Sequence, residues 1–334
     1  MPMTFQILSL SGGGFLGLYT ASVLSKLEEQ TGKPIIDSFD LIAGTSVGGI
    51  IALGLSAGKS ASEIRQAFID DGHHVFSSHR PPQNMIASAW KLVTGVPKSR
   101  YNPDRLRVII ERIVGENTLM QELLRPTVIP AVNLTKGGPK IFKTGHHPKL
   151  VLDWKLKVAD VALATSAAPT YFPLHQIGDD LYADGGLFAN SPDLIAVHEA
   201  ERFLGVKQKD ISVLSIGTTT TAFAFSSQAG KALGSFGWLK RERLPKVMIG
   251  SQQALANDMM KHMLSDRYVR IDRAQSSDQE AELALDCASE IAKRDLQSAA
   301  ANSVAEASSS DRLQKMLDHN AAPSNFVNAK IAGE

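Results

Sequence analysis

Phe5–Leu10, FQILSL, runs straight into Ser11–Gly17, SGGGFLG, and Asp40–Ala43, DLIA, runs straight into Gly44–Gly48, GTSVG. Each is a short, mainly apolar run closed by a glycine cluster, which is how a buried parallel strand reads. After the first cluster Leu18, Ala21, Leu24 and Leu27 recur at helical spacing until Gly32 and Pro34 end the run. After the second, Ser46–Ala57 predicts another helix. Strand, helix, strand, helix in this order predicts a parallel sheet with right-handed crossovers, an α/β fold of three layers with helices on both faces.

Outward from this opening the signals are more scattered. Asp71–Arg100, with His73, His74, His79 and two prolines, reads as a long excursion, and Pro103 starts a helix with Leu106, Ile109, Ile110 and Ile113 on one face. Thr127–Leu134 and Lys140–Thr144 read as a hairpin through Lys136-Gly137-Gly138. Lys157–Thr165, Pro192–Leu204 and Leu244–Leu264 read as helices, Ile211–Ile216 and Tyr268–Ile271 as strands, and the stretch from Gln279 as helical. Thr218–Gly237 is the lowest-complexity stretch and reads as a mobile loop. The expected organisation is one domain over 1–325, with a helical elaboration over about 230–325 and a tail at 326–334.

Composition narrows the function classes. The 334 residues are 43% hydrophobic and 21% charged, ordinary for a globular protein with a large core, and the formal net charge of +1 recruits neither a nucleic-acid polymer nor an acidic membrane globally. A single cysteine, Cys287, excludes an intramolecular disulfide framework and fits a reducing cytosol. No basic n-region precedes a long apolar stretch and no run approaches a membrane span, so the expectation is a cytoplasmic protein whose membrane contact is peripheral, at the inner face.

Three clusters carry chemistry. Gly44-Thr45-Ser46-Val47-Gly48 is a G-x-S-x-G between a strand and a helix, where a serine projects from a tight turn and glycines at Gly44 and Gly48 remove side chains that would clash. The helix behind it points its positive end at the serine. Gly12-Gly13-Gly14-Phe15-Leu16-Gly17 reads either as a dinucleotide fingerprint or as a nest of N–H groups forming an oxyanion hole. The first reading wants an acidic residue after the second strand, where the serine turn stands instead. Asp184-Gly185-Gly186, followed by Asn190, Ser191 and Pro192, places a carboxylate on a loop able to approach another closely. His198 and His262 are eligible for a triad by order alone, yet neither sits in a loop motif, so a direct serine–carboxylate dyad is the preferred expectation. Met248, Met259, Met260 and Met263 fit either core packing or an acyl-chain channel. Asp179, Asp180 and Asp184 lack cation-ligand spacing, and no metal or cofactor is expected.

These three motifs, in this order, resemble the patatin-like phospholipase family over about residues 5–216. The resemblance implies a three-layer patatin-like fold, Ser46 as nucleophile, Asp184 as its base, Gly13 and Gly14 as oxyanion donors, and membrane phospholipid as substrate. Two positions depart from the family pattern: Ser11 stands where aspartate usually opens the glycine loop, and Leu16 where arginine or lysine usually precedes its last glycine. The openings FQILSLSGGG and LIAGTSVGGIIAL are similar to bacterial patatin-like effectors of anti-phage signalling, which implies a cyclic-dinucleotide activator and possible homo-oligomers. Candidate phosphate contacts are Lys98, Arg100, Tyr101, Arg105 and Arg107, with a second basic cluster of Lys136, Lys140, Lys143, His146 and His147. The alternatives are a constitutive lipid esterase of this family, a catalytically silent nucleotide-binding scaffold, and a nucleotide-dependent oxidoreductase.

Overall fold

The computed structural model describes residues 5–77, 99–219, 238, 243–275, 283–324 and 326. Its described strands join one eight-stranded sheet: β1 (Phe5–Leu10), β2 (Leu41–Gly44), β3 (Thr127–Asn133), β4 (Gly138–Lys143), β5 (His175–Ile177), β6 (Asp180–Asp184), β7 (Ile211–Ile216) and β8 (Tyr268–Ile271), in the order β5-β6-β3-β2-β1-β7-β8 with β4 also on β3. The centre, β3-β2-β1-β7-β8, is parallel throughout, and β1, β2, β3 and β7 are largely buried on both faces, as helix-covered parallel strands are.

Alternation along these strands divides the core in two. Leu8, Leu10, Ile42, Ile129, Leu214 and Ile216 pack into one cluster with helices α1 (Gly17–Thr31), α2 (Val47–Ser56), α3 (Ala61–Val75), α4 (Pro103–Val114) and α5 (Val158–Thr165). Ile7, Leu41, Ala43, Val128 and Val213 face a smaller cluster. After the four-residue α6 (Gly186–Ala189), helices α7 (Asp193–Phe203) and α8 (Arg243–Leu264) complete that second layer. The C-terminal helices α9 (Glu290–Ala307) and α10 (Asp311–Leu317) return to the first layer through Leu296, Val304, Leu313 and Met316. The result is the three-layer α/β architecture, a mostly parallel sheet flanked by helices.

The sheet's one irregularity builds the site. β4 lies antiparallel along β3 from Val128 to Asn133, taking one whole edge. The other edge is shared: β2 pairs with Thr127 and Val128, and β6 arrives antiparallel to pair with Ala131, Val132 and Asn133. The ends of β2 and β6, Gly44 and Asp184, therefore meet head-on. Pro130 sits at the break between them, where no strand would receive an N–H.

Several boundaries differ from the sequence expectations. Asp71–Val75, expected to open the long excursion, is the last turn of α3, whose start is fixed by a capping box between Ser60 and Glu63. His73 and His74 stack on that helix, and residues 78–98 lie outside the described residues. The β5–β6 hairpin was not foreseen, since Asp179-Asp180-Leu181 reads as a turn and β5 is half exposed. The stretch expected to form a mobile loop lies outside the described residues after Thr219, as does the start of the stretch expected to be helical from Gln279. Among the methionines Met260 is in the core and Met263 against it, while Met248 and Met259 are about two-fifths exposed.

Candidate active site

Ser46 is the turn residue between β2 and α2, and its φ of 54° lies in the region that L side chains rarely adopt. That strain aims its side chain off the sheet, and the backbone N–H is held by Thr165 Oγ1 at 3.0 Å, which itself donates to Pro130 O at 2.6 Å. Gly48 is required because Leu10 and Ser11 carbonyls occupy the space a Cβ would need. Gly44 ends β2, and Gly17 opens α1 against Val47.

Opposite stands Asp184, the last residue of β6 and 6% exposed. Ser46 Oγ donates to its Oδ2 at 2.6 Å, and the Gly186 N–H donates to Oδ1 at 2.7 Å. Burial pushes the Asp184 carboxyl up to about 6, and the two hydrogen bonds restrain that rise. Gly185 lets the turn lie against the Pro130 carbonyl. No histidine is among the described partners of either side chain: His198 is exposed on α7 and makes an edge contact with Phe203, and His262 is exposed on α8.

The glycine loop packs directly on this pair, with Gly12 facing the Ser46 Cβ. Gly12 N–H donates to Asn190 O at 2.9 Å, and its carbonyl accepts from Thr218 Oγ1 at 2.9 Å and Asn190 Nδ2 at 3.2 Å. Gly14 has φ of 57°, with the Leu285 carbonyl where a Cβ would stand. Among the described residues the N–H groups of Gly13 and Gly14 have no protein acceptor, whereas that of Phe15 is taken by Leu285 O at 2.8 Å. Leu16 turns into the apolar core at 5% exposure. Thr165, Thr218 and Leu285 were not singled out from the sequence, and no motif marks them.

A serine hydroxyl on a carboxylate of raised basicity, beside backbone donors that no described residue takes up, is equipped for acyl transfer. Ester hydrolysis is therefore expected to rise with pH through about 6, since Asp184 must be ionised to accept a proton. One unit below that midpoint the rate should be about tenfold under its plateau. A profile of kcat/KM between pH 4.5 and 8 checks this, and a midpoint near 4 would contradict it.

The two basic clusters occupy separate ion-pair networks. Arg100 Nη1 reaches Asp286 at 2.6 Å and Tyr101 OH reaches the same carboxylate at 2.8 Å, with Tyr101 stacked on Tyr171. Arg105 donates to His74 O, and Arg107 pairs with Asp160. Lys136 pairs with Asp180, Lys140 with Asp153, and Lys143 with Glu199. His146 is buried against that same Glu199 at 3.0 Å, and His147 packs on Phe203. Lys98 lies outside the described residues. Among the described residues no cluster of three or more His, Cys, Asp or Glu forms a metal site, and no helix is long and apolar enough to cross a membrane.

With this geometry in place, residues 8–197 match the family model for patatin-like phospholipase. The chain belongs to the patatin-like phospholipase family and is a lipid ester hydrolase. It is 39% identical to a cGAMP-activated phospholipase of Pseudomonas aeruginosa over 83% of this chain and 80% of that protein. Proteins of the same description from Escherichia coli and Vibrio cholerae are 36% and 37% identical, over 87% and 85% of this chain and 86% of each of them.

Proposed function

We propose that Ser46 and Asp184 are a catalytic dyad that cleaves fatty-acyl esters of membrane phospholipids, and that a cyclic dinucleotide switches the reaction on as the effector step of anti-phage signalling. The observation that carries the dyad is the 2.6 Å bond between Ser46 Oγ and a buried carboxylate whose pKa burial has raised. Asp184 takes the hydroxyl proton as Oγ attacks the acyl carbonyl carbon. The carbonyl oxygen becomes an oxyanion held by the Gly13 and Gly14 N–H groups. Its collapse breaks the ester bond, and the departing lysophospholipid alkoxide takes the proton from Asp184. Water then gives a proton to Asp184 as it attacks the acyl-enzyme carbonyl, and collapse releases the fatty acid while Ser46 Oγ takes that proton back from Asp184, restoring both groups.

The activator reading is supported by what the relatives are called, cGAMP-activated phospholipases. Of the two candidate anion surfaces, Arg100 and Tyr101 fit a nucleotide better. The Arg100 side chain is 39% exposed with its guanidinium carbon 4.8 Å from the Tyr171 ring centre, and Tyr101 stacks on the same ring. Phosphates would have to displace a carboxylate at either surface, Asp286 from Arg100 and Tyr101 or Asp180 and Glu199 from Lys136, Lys143 and His146, so the stacked rings carry the preference.

The test is fatty-acid release from phospholipid vesicles by wild type and Ser46→Ala, each with and without cGAMP. Release by wild type with cGAMP and none by the variant is expected. Equal release with and without the nucleotide would remove the switch and leave the hydrolase.

A further inference from the structure

The glycine loop that offers the oxyanion donors has little of its own to hold its first residues, its internal bonds beginning only with Leu16 N–H to Gly13 O. From Gly12 to Leu16 it has no polar side chain, and Leu16 is committed to the core. Its geometry is imposed from outside, chiefly at the Gly12 carbonyl, which accepts from both Asn190 Nδ2 and Thr218 Oγ1. A peptide unit is planar and trans, so the Gly12 C=O and the Gly13 N–H point in opposite directions. Holding the carbonyl toward Asn190 and Thr218 thereby holds the Gly13 N–H the other way, free of any described acceptor.

The segments that provide this clamp converge on one side chain. Arg270 stands on β8 in register with Ser215 of β7, itself in register with Ser9 of β1. Its Nη1 reaches Ser215 Oγ at 2.7 Å, Ser191 Oγ at 3.1 Å and Ser11 Oγ at 3.1 Å. Ser11 immediately precedes Gly12, Ser191 immediately follows Asn190, and Ser215 leads into Thr218. Nη2 is fixed by Asp272 at 2.7 Å. Asp193, fully buried, gathers Ser191, Ser215 and Tyr268 from behind. A largely buried charge is costly unless paired, and the guanidinium grips at two ends, with Nη2 on Asp272 while Nη1 reaches the serines, a span that a single ammonium nitrogen lacks.

We propose that Arg270 is a positioning residue for the oxyanion hole: one largely buried guanidinium ties Ser11, Ser191 and Ser215 together and so sets the direction of the Gly13 N–H group. This rests on the dyad reading above. It also explains how a loop with leucine at position 16 and serine at position 11 has its cation, supplied through space from a strand 259 residues away.

The experiment is steady-state hydrolysis of a p-nitrophenyl acyl ester in the presence of cGAMP, with thermal unfolding in parallel, for wild type, Ser46→Ala, Arg270→Lys, Ser11→Ala and Thr218→Val. Arg270→Lys is expected to lower kcat about 10- to 100-fold with little change in KM, and to leave the midpoint of the pH profile where wild type has it. Thr218→Val is expected to lower kcat in the same way. Adding Ser11→Ala to Arg270→Lys should cost less than the two single losses combined, because both act through one contact. A folded Arg270→Lys with wild-type kcat overturns the proposal. Should Arg270→Lys fail to fold, Ser11→Ala and Thr218→Val decide: full activity in both overturns it, and a kcat-only loss supports it. A Ser46→Ala variant as active as wild type overturns the dyad itself and the anchor with it.

Discussion

Replacing Ser46 with alanine is expected to lower lipid-ester hydrolysis by a factor on the order of 10^4 or more, the scale set by removal of an enzymic nucleophile. The protein should remain folded. Alanine meets the same unfavourable φ as the serine it replaces, and the turn is still held by Thr165, Gly44 and Gly48. What is lost is the donor to Asp184 Oδ2, leaving Gly186 N–H as its described partner. Labelling by a fluorophosphonate should vanish together with fatty-acid release. Retention of even a tenth of the wild-type rate would assign the nucleophile elsewhere.

The second large effect pairs lost activity with gained stability. Asp184→Asn removes the base but keeps the shape: an amide can accept from Gly186 and donate to Ser46. Hydrolysis should fall by roughly 10^3- to 10^4-fold. Stability should move the other way at neutral pH. In the folded chain the carboxyl keeps its proton to about 6, against about 4 when exposed. Its contribution is thus fully present below pH 4 and is lost as pH rises through 6. Above that, the buried charge costs up to about 3 kcal/mol, which the neutral amide avoids. The variant should melt a few degrees above wild type at pH 8, and that gap should shrink by more than half at pH 4.5. A variant that melts below wild type at pH 8 would contradict this.

The opening of the chain was readable because its signals are local. FQILSL-SGGG and DLIA-GTSVG each contain their strand, their turn and the start of their helix within about fifteen residues. Asp184 was readable as part of a motif, whereas its strand was not, because Asp179 and Asp180 mimic a turn and the pairing with β3 is long-range. The basic residues were readable, their partners were not. Arg100 looks free until Asp286 arrives from the far end of the chain, and Lys143 until Glu199 does. Arg270 carried one overlooked sign, a charge in the middle of YVRI, an otherwise apolar strand. What that charge reaches depends on the order β1-β7-β8, which no local pattern encodes.

The anchoring of the glycine loop also has a consequence in time. The loop emerges first during synthesis, but Asn190, Thr218, Arg270 and Leu285, which give it shape, come much later. At roughly 5 to 20 residues per second, the 259 residues between Ser11 and Arg270 take on the order of 10 to 50 s to make. Throughout that interval Ser46, and later Asp184, exist without the contacts that Arg270 and Leu285 make to the glycine loop. On the dyad reading, a nascent chain is therefore expected to be a poor lipid esterase until these late residues have been made.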